Sequence, residues 1–298
     1  FAFQAGIGAL ESYTERFGRV AGFEFGHARM WGTLGWASTV ALTGILINVD
    51  PHYNFYLSTF GGLIFLIMLV MLNTSEQFSR KMLDQYKIDN QKKTSLVEII
   101  NLLKMPAFWA VIVWVLGSSM YGVYDQQFMR YFVSKFTDQA EGAQMYGFLN
   151  STQVFIETIC TFLAPFVVNK IGAKNGLIVA STIMFCRIGL SGLVDSTWAI
   201  AAVKLLHGPE VPMVMISFFK YITTRFNPAM SATIYLVGLT VISQIVSAIL
   251  APVAGHLYDT WGFGHTYLLM AAFVLVTTII SLFALSNKTL PGTKEANI

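Results

Sequence analysis

The 298-residue sequence predicts an all-helical integral membrane bundle, and three observations carry that prediction. Hydrophobic residues make up 55% of the chain and charged ones only 12%, against about 25% charged in soluble domains. Apolar runs of roughly 18 residues or more, each able to cross about 30 Å of hydrocarbon, recur along its whole length. Basic residues cluster in alternate connections between those runs. Strand-like alternation is absent, as are Walker A, HExxH and GxSxG motifs and any GxGxxG in strand context. The net charge of +3 is small and forms no basic stripe with interleaved aromatics, so a nucleic-acid partner has no support.

Taken in order, the chain opens with "FAFQAG" in an apolar segment that lacks a basic leader, which argues against a signal peptide and gives a partial first span ending near Phe17. Spans follow at about 28–48 and 53–73. Residues 74–105 turn polar, with Arg80, Lys81, Lys87, Lys92, Lys93 and Lys104 against four acidic residues, and read as a linker. Six further spans are expected at 106–136, 143–169, 175–195, 197–219, 229–258 and 263–285. Three spans before the linker and six after it suggest two six-helix halves with the first three helices missing. Residues 1–73 would then be the last three helices of the N-terminal half, 74–105 the central loop, 106–286 the C-terminal half and 287–298 a tail.

Orientation follows from the short loops. Arg16 and Arg19, the linker, Lys170 and Lys174, Lys220 and Arg225, then Lys288 and Lys294 all fall on one side, which the positive-inside rule makes cytoplasmic. The loops between them carry Asp50, the mixed trio Lys135, Asp138 and Glu141, then Asp195, then Asp259.

An ionisable side chain at the bilayer centre costs about 2.5 to 3.5 kcal/mol on insertion scales, so it persists where it faces a bundle interior and has a partner. This chain places Glu11, Arg29, Asp125, Arg130, Glu157, Arg187, Lys204, His207 and Glu210 within its spans. In "VKLLHGPEVP" the trio Lys204, His207 and Glu210 steps round a helix by about 60° at a time and climbs roughly 9 Å, a staircase on one face. By depth, Asp125 suits Lys204 and Arg187 suits Glu210; an ion-pair network that only holds helices in register is the structural alternative. Pro209 and Pro212 predict a kink beside the staircase, and broken helices near the midplane mark transport sites. Trp36 follows Arg29 by seven residues on nearly the same face, so an indole and a guanidinium could meet a sugar together, with Glu11 across from them; interfacial packing of Trp36 is the alternative. Arg130 is expected to snorkel to water. His27, His52, His256 and His265 read as structural, and Cys160 and Cys186, without CxxC or His-rich spacing, as core thiols with no metal site or disulfide.

The stretches "ALESYTERFGRVAGFEFGHARMWGTLGWA", "YGVYDQQF", "VKLLHGPEVP" and "FKYITTRFNPAMSATIYLVG" resemble the oligosaccharide:proton symporters of the major facilitator superfamily, the lactose, sucrose and raffinose permeases, over residues 1–286. "VNKIGAKN" resembles the basic loop that this superfamily repeats. The resemblance implies a twelve-helix, six-plus-six bundle, here about nine helices, in a bacterial inner membrane with central loop and C-terminus cytoplasmic. It implies a sugar half-site at Glu11, Arg29 and Trp36, proton coupling through Arg187, His207 and Glu210 with Tyr121 adjoining, and paired charges at Asp125 and Lys204. His207 and Glu157 would help to read the sugar.

Departures are specific. Val154 stands where lactose-type members have a sugar-binding glutamate, and Glu157 lies one turn later, closer to the sucrose-permease pattern. Gly122 and Ser243 replace a charged pair together, Thr33 replaces a cysteine, and Gly208 and Pro209 follow His207. The expectation is proton-coupled import of sucrose, lactose, raffinose or melibiose by alternating access, as a monomer in lipid, with the proton as coupling ion and no cofactor. The alternatives are a non-transporting sugar sensor on the same scaffold, and an intramembrane metal-dependent hydrolase at His207 and Glu210, which lacks a second closely spaced ligand set.

Overall fold

The computed structural model describes residues 2–46, 50, 52–71, 80, 102–226 and 234–286, so most of the 74–105 linker and the tail with Lys288 and Lys294 lie outside the described residues. The described elements are helical throughout: α1 (Ala2–Ala21), α2 (Phe25–Leu46), α3 (Tyr53–Met71), α4 (Pro106–Ser118), α5 (Met120–Val133), α6 (Gln139–Ile171), α7 (Ala173–Leu193), α8 (Thr197–Lys204), α9 (His207–Arg225), a π-helical segment Ile234–Val241, and α10 (Ile242–Ala284). Five stretches are long and apolar enough to cross a membrane: Pro106–Val133, Gln139–Ile171, Ala173–Leu193, Thr197–Arg225 and Ile234–Ala284. The last would be about 76 Å long if straight, more than twice the hydrocarbon thickness. Gly262, at φ 77° and ψ 169°, breaks it, and the Tyr258 hydroxyl reaches the Met270 sulfur at 3.7 Å, so the chain reverses there. With α1, α2 and α3 this makes nine helical passes among the described residues.

The first helix runs four residues past the expected end at Phe17, because Arg19 pairs with Glu15 one turn back at 2.9 Å and carries the last turn. Gly22, at φ 78°, then stops it: the amides of Gly22 and Phe23 both return to the Gly18 carbonyl, the left-handed cap for which glycine is suited. In the loop before α3, the amide and ring of His52 both bond Asp50, at 2.9 and 2.8 Å, and hold its carboxyl below the usual carboxylate range.

Two helices are broken where the charged residues gather. Between α4 and α5, the hydroxyls of Ser118 and Ser119 both bond the Val115 carbonyl, at 3.0 and 2.7 Å, a side-chain competition that bends helices two residues before Tyr121. Between α8 and α9 the break falls at Leu205 and Leu206, upstream of the kink expected at Pro209 and Pro212. A proline ring clashes with the carbonyl four residues before it, which for Pro209 is Leu205; that carbonyl takes the Gly208 amide at 3.0 Å instead. Pro209 and Pro212 themselves ride inside α9.

Helix α10 packs on α4, α5 and α7, α9 packs between α6 and α7, and α2 lies against α6 while α1 meets the π-helical segment. Two apolar cores result. One joins Trp114, Val115, Leu177, Ile216, Phe218 and Ile222; the other joins Tyr124, Phe128, Phe132, Met184, Ile188 and Tyr267. The buried charges lie near the seam between them. Phe55, Phe60, Leu66 and Met71 of α3 are exposed apolar groups, as a membrane-facing helix requires. Cys160 and Cys186 are free but only partly buried, which corrects the reading of both as core thiols: their helix faces sit at the edge of the bundle.

Candidate functional site

A cavity of about 760 Å³ opens between α1 and α2 on one side and α5, α6 and α9 on the other. On the first wall the Arg29 guanidinium meets the Glu11 carboxylate at 3.2 Å. Arg29 also donates to the Thr33 hydroxyl at 3.4 Å, one turn along the same face, and Trp36, the next step of that face, lines the cavity with 61% of its surface exposed. The Tyr235 hydroxyl donates to the other oxygen of Glu11. This wall therefore offers a carboxylate, a guanidinium and a bare indole face to whatever enters.

The second wall is layered. Glu157 and His207 line the cavity, with His207 Nε2 3.9 Å from a Glu157 oxygen, and the Tyr121 ring stacks on His207 with centroids 5.2 Å apart. Behind them Arg187 grips Glu210 through two parallel bonds of 2.6 and 2.9 Å, and neither side chain is exposed at all. Asp125 takes the Lys204 ammonium at 2.7 Å and Arg187 Nη1 at 3.2 Å, with His207 Nδ1 3.5 Å from its second oxygen. The guanidinium also lies 4.6 Å from the Tyr124 ring centre, and Lys204 sits 4.8 Å from that of Phe128. Two cations and two carboxylates thus close on one another, Arg187 and Glu210 shut off from water and Asp125 and Lys204 reaching the cavity wall beside Tyr121 and His207.

The family model described as the LacY proton/sugar symporter matches residues 1–295. The chain belongs to the LacY symporter family. It is 38% identical to a raffinose permease of Escherichia coli over 98% of its own length and 68% of that protein's. It is 37% identical to a melibiose permease of Enterobacter cloacae over 97% and 68%, and 33% identical to a sucrose permease of Escherichia coli over 95% and 67%. As a LacY-family protein it is a multi-pass membrane transporter for sugar symport, and the hydrolase alternative falls with that assignment.

Of the residues singled out in this LacY-family sequence, the structure gathers Glu11, Arg29, Trp36, Tyr121, Asp125, Glu157, Lys204 and His207 around one cavity and keeps Arg187 and Glu210 behind it. Arg130 stands apart, 69% exposed and 3.8 Å from Asp259. His27 packs on Phe162. Val154 is buried on the cavity wall one turn from Glu157. At the position of the missing charged pair, Gly122 faces the Ser247 hydroxyl. Gly208 has a steric role: a Cβ there would lie 2.6 Å from the Ile156 side chain and 3.2 Å from the Glu157 amide, so only glycine lets α9 start close enough to α6 for His207 to reach Glu157.

Sequence reasoning missed Tyr235, Tyr124 and Gln153. Each is uncharged inside an apolar run, so no anomaly of charge marked it; the unusual π-helical turn that aims Tyr235 at Glu11 has no composition signature. It also missed a polar knot at the N-terminal end of α2. Glu24, between α1 and α2, accepts from Lys220 of α9 at 2.9 Å and Asn169 of α6 at 3.0 Å, and Lys220 also bonds Asn169. Beside the knot a Cβ at Gly26 would lie 2.5 Å from Pro165 and 2.9 Å from the Thr161 carbonyl, so α2 touches α6 there backbone to backbone.

Proposed function

We propose that this transporter imports an oligosaccharide of the sucrose, lactose, raffinose and melibiose class together with protons. The observation that carries the reading is a pair of glutamate–arginine contacts, one open to the cavity and one sealed behind it, with the Tyr121 ring stacked on His207 and 5.7 Å from the Arg187 guanidinium. Trp36 stacks on a sugar ring while Glu11 and Arg29 take its hydroxyls; Glu157 and His207 read it from the opposite wall. Glu210 carries the coupled proton. Arg187 beside it favours the carboxylate, so the grip seen here corresponds to the proton-free state, and loosening that grip accompanies protonation. The Asp125–Lys204 pair holds α5 against α8 and keeps Arg187 aimed.

Alternating access follows from rocking helices α1–α3 against the half at 106–286, about the sugar. The Glu24–Asn169–Lys220 knot and the Gly26 contact join the two halves at the end that the basic loops mark as cytoplasmic, and they part when the cavity opens inward. The setting is a bacterial inner membrane, with the transporter working as a monomer in lipid, no cofactor, and the proton as coupling ion. Lightly buffered cells expressing the transporter should become alkaline outside on addition of a transported sugar. A sensor on the same scaffold binds sugar and moves no protons, so sugar binding without alkalinisation across a full disaccharide panel would sink this reading in favour of it.

A further inference from the structure

Four residues of α6 line the cavity at intervals of four, three and four: Tyr146, Asn150, Gln153 and Glu157. That spacing keeps them on one helix face, a stripe that climbs about 16 Å from Glu157 toward the end of α6 nearest the Lys135 loop. Only Glu157 belongs to the sugar site described above. The other three present an aromatic ring and two amides, side chains that suit neutral hydroxyl groups and neither phosphates nor metals. Gln153 is 4% exposed and its carbonyl oxygen has no hydrogen-bond partner. Buried polar atoms are nearly always paired, and leaving one bare costs about 1 to 3 kcal/mol, so a side chain that lines a cavity while its own acceptor is shut in and unpaired gains from turning its amide toward a ligand hydroxyl.

We propose that Gln153 and Asn150, with Tyr146 above them, form a further sugar subsite, which takes the third ring of an oligosaccharide, beyond the two that span from Glu11, Arg29 and Trp36 to Glu157 and His207. The proposal rests on the oligosaccharide reading of the cavity and extends it. The stripe is longer than a pair of linked hexose rings needs, and a cavity of about 760 Å³ lies well within the range that encloses small ligands. With the Gln153 amide turned toward the cavity, a ring hydroxyl donates to its Oε1, the amide of Asn150 donates to a neighbouring hydroxyl, and the phenol ring of Tyr146 covers the apolar face. Chain length, more than the identity of the first ring, is what this subsite selects.

Raffinose, a trisaccharide, and melibiose, the disaccharide contained in it, are the probes. Binding of each is measured by displacement of labelled sugar in membrane vesicles carrying the transporter, for the wild type, Gln153→Leu, Asn150→Leu and Arg29→Lys. Gln153→Leu removes an unpaired buried amide and so does not lower stability by itself. The expected result is a fall of about tenfold in raffinose affinity with Gln153→Leu, a smaller fall with Asn150→Leu, and melibiose unchanged in both. Equal losses for the two sugars, or no loss for either, overturn the subsite. Arg29→Lys, in contrast, should weaken both sugars alike; if it leaves both untouched, the first site and the oligosaccharide reading fall instead.

Discussion

Two of the glutamate–arginine pairs among the described residues, Glu11–Arg29 and Glu210–Arg187, differ in their access to water, and in the proposed function that difference separates binding from coupling. Glu11 and Arg29 touch once, at 3.2 Å, with 13% and 29% of their side chains exposed on a cavity. Arg187 and Glu210 touch twice, at 2.6 and 2.9 Å, with nothing exposed. A single contact that water can reach exchanges one partner for a ligand hydroxyl at lower cost than a sealed one, since water and the ligand both stand in for the lost partner. A dry two-point pair cannot be opened that way, because parting it leaves uncompensated charge in a poor solvent, unless a proton neutralises the carboxylate. In the proposed function the same two residue types therefore serve a neutral ligand in one place and a proton in the other, and solvent access decides which.

The largest expected effect tests the sealed pair. Glu210→Gln is neutral whatever the proton gradient, so sugar exchange across the membrane should survive while accumulation against a gradient is lost entirely. A Glu210→Gln transporter that still concentrates sugar in energised vesicles removes the coupling proton from this residue. Next comes the pair that supports it. Asp125→Asn should leave Lys204 without its paired carboxylate, at a loss smaller than the about 3 to 5 kcal/mol of a fully buried pair because Asp125 keeps 21% exposure, and adding Lys204→Ala should restore part of the folded yield. A double variant no more stable in detergent than the worse single one breaks that assignment.

A smaller effect is expected where the two walls approach. Gly208→Ala would drive a methyl into Ile156 and the Glu157 backbone, at about 1 to 3 kcal/mol, and should weaken sugar binding by separating His207 from Glu157. Unchanged sugar affinity with unchanged thermal stability would show that the close approach is dispensable. The smallest concerns the open wall. Trp36→Ala should lower sugar affinity by about 1 kcal/mol, roughly fivefold, and Trp36→Phe by less, because a phenyl ring keeps the apolar face. Equal affinity in the alanine variant takes Trp36 out of the site and leaves the two arginine pairs without a binding platform between them.

Charge in a greasy chain is conspicuous, and that is why Glu11, Arg29, Asp125, Glu157, Arg187, Lys204, His207 and Glu210 could be picked out before any fold was known. Neutral partners are not. Tyr235, Tyr124 and Gln153 carry polar atoms that matter through a single contact or the lack of one, and nothing in their neighbours along the chain distinguishes them from the many other polar residues of these spans. Gly208 was noticed only as a departure from the family's sequence; its meaning, room for α9 against α6, needed the distance to Ile156.

The sequence by itself determined the helical membrane architecture, the placement of the passes to within a few residues, and the partners available to each buried charge. Those properties follow from local hydropathy and from the energy of burying an ion, both of which are written residue by residue. Tertiary structure alone decided how far each charge is shut off from water. It put the helix break at Leu205 upstream of the prolines, gave Asp125 to Arg187 as well as to Lys204, and left Gln153 without a partner. Seclusion from water is a property of how helices distant in sequence close over one another, and a dielectric boundary exists only once they have closed.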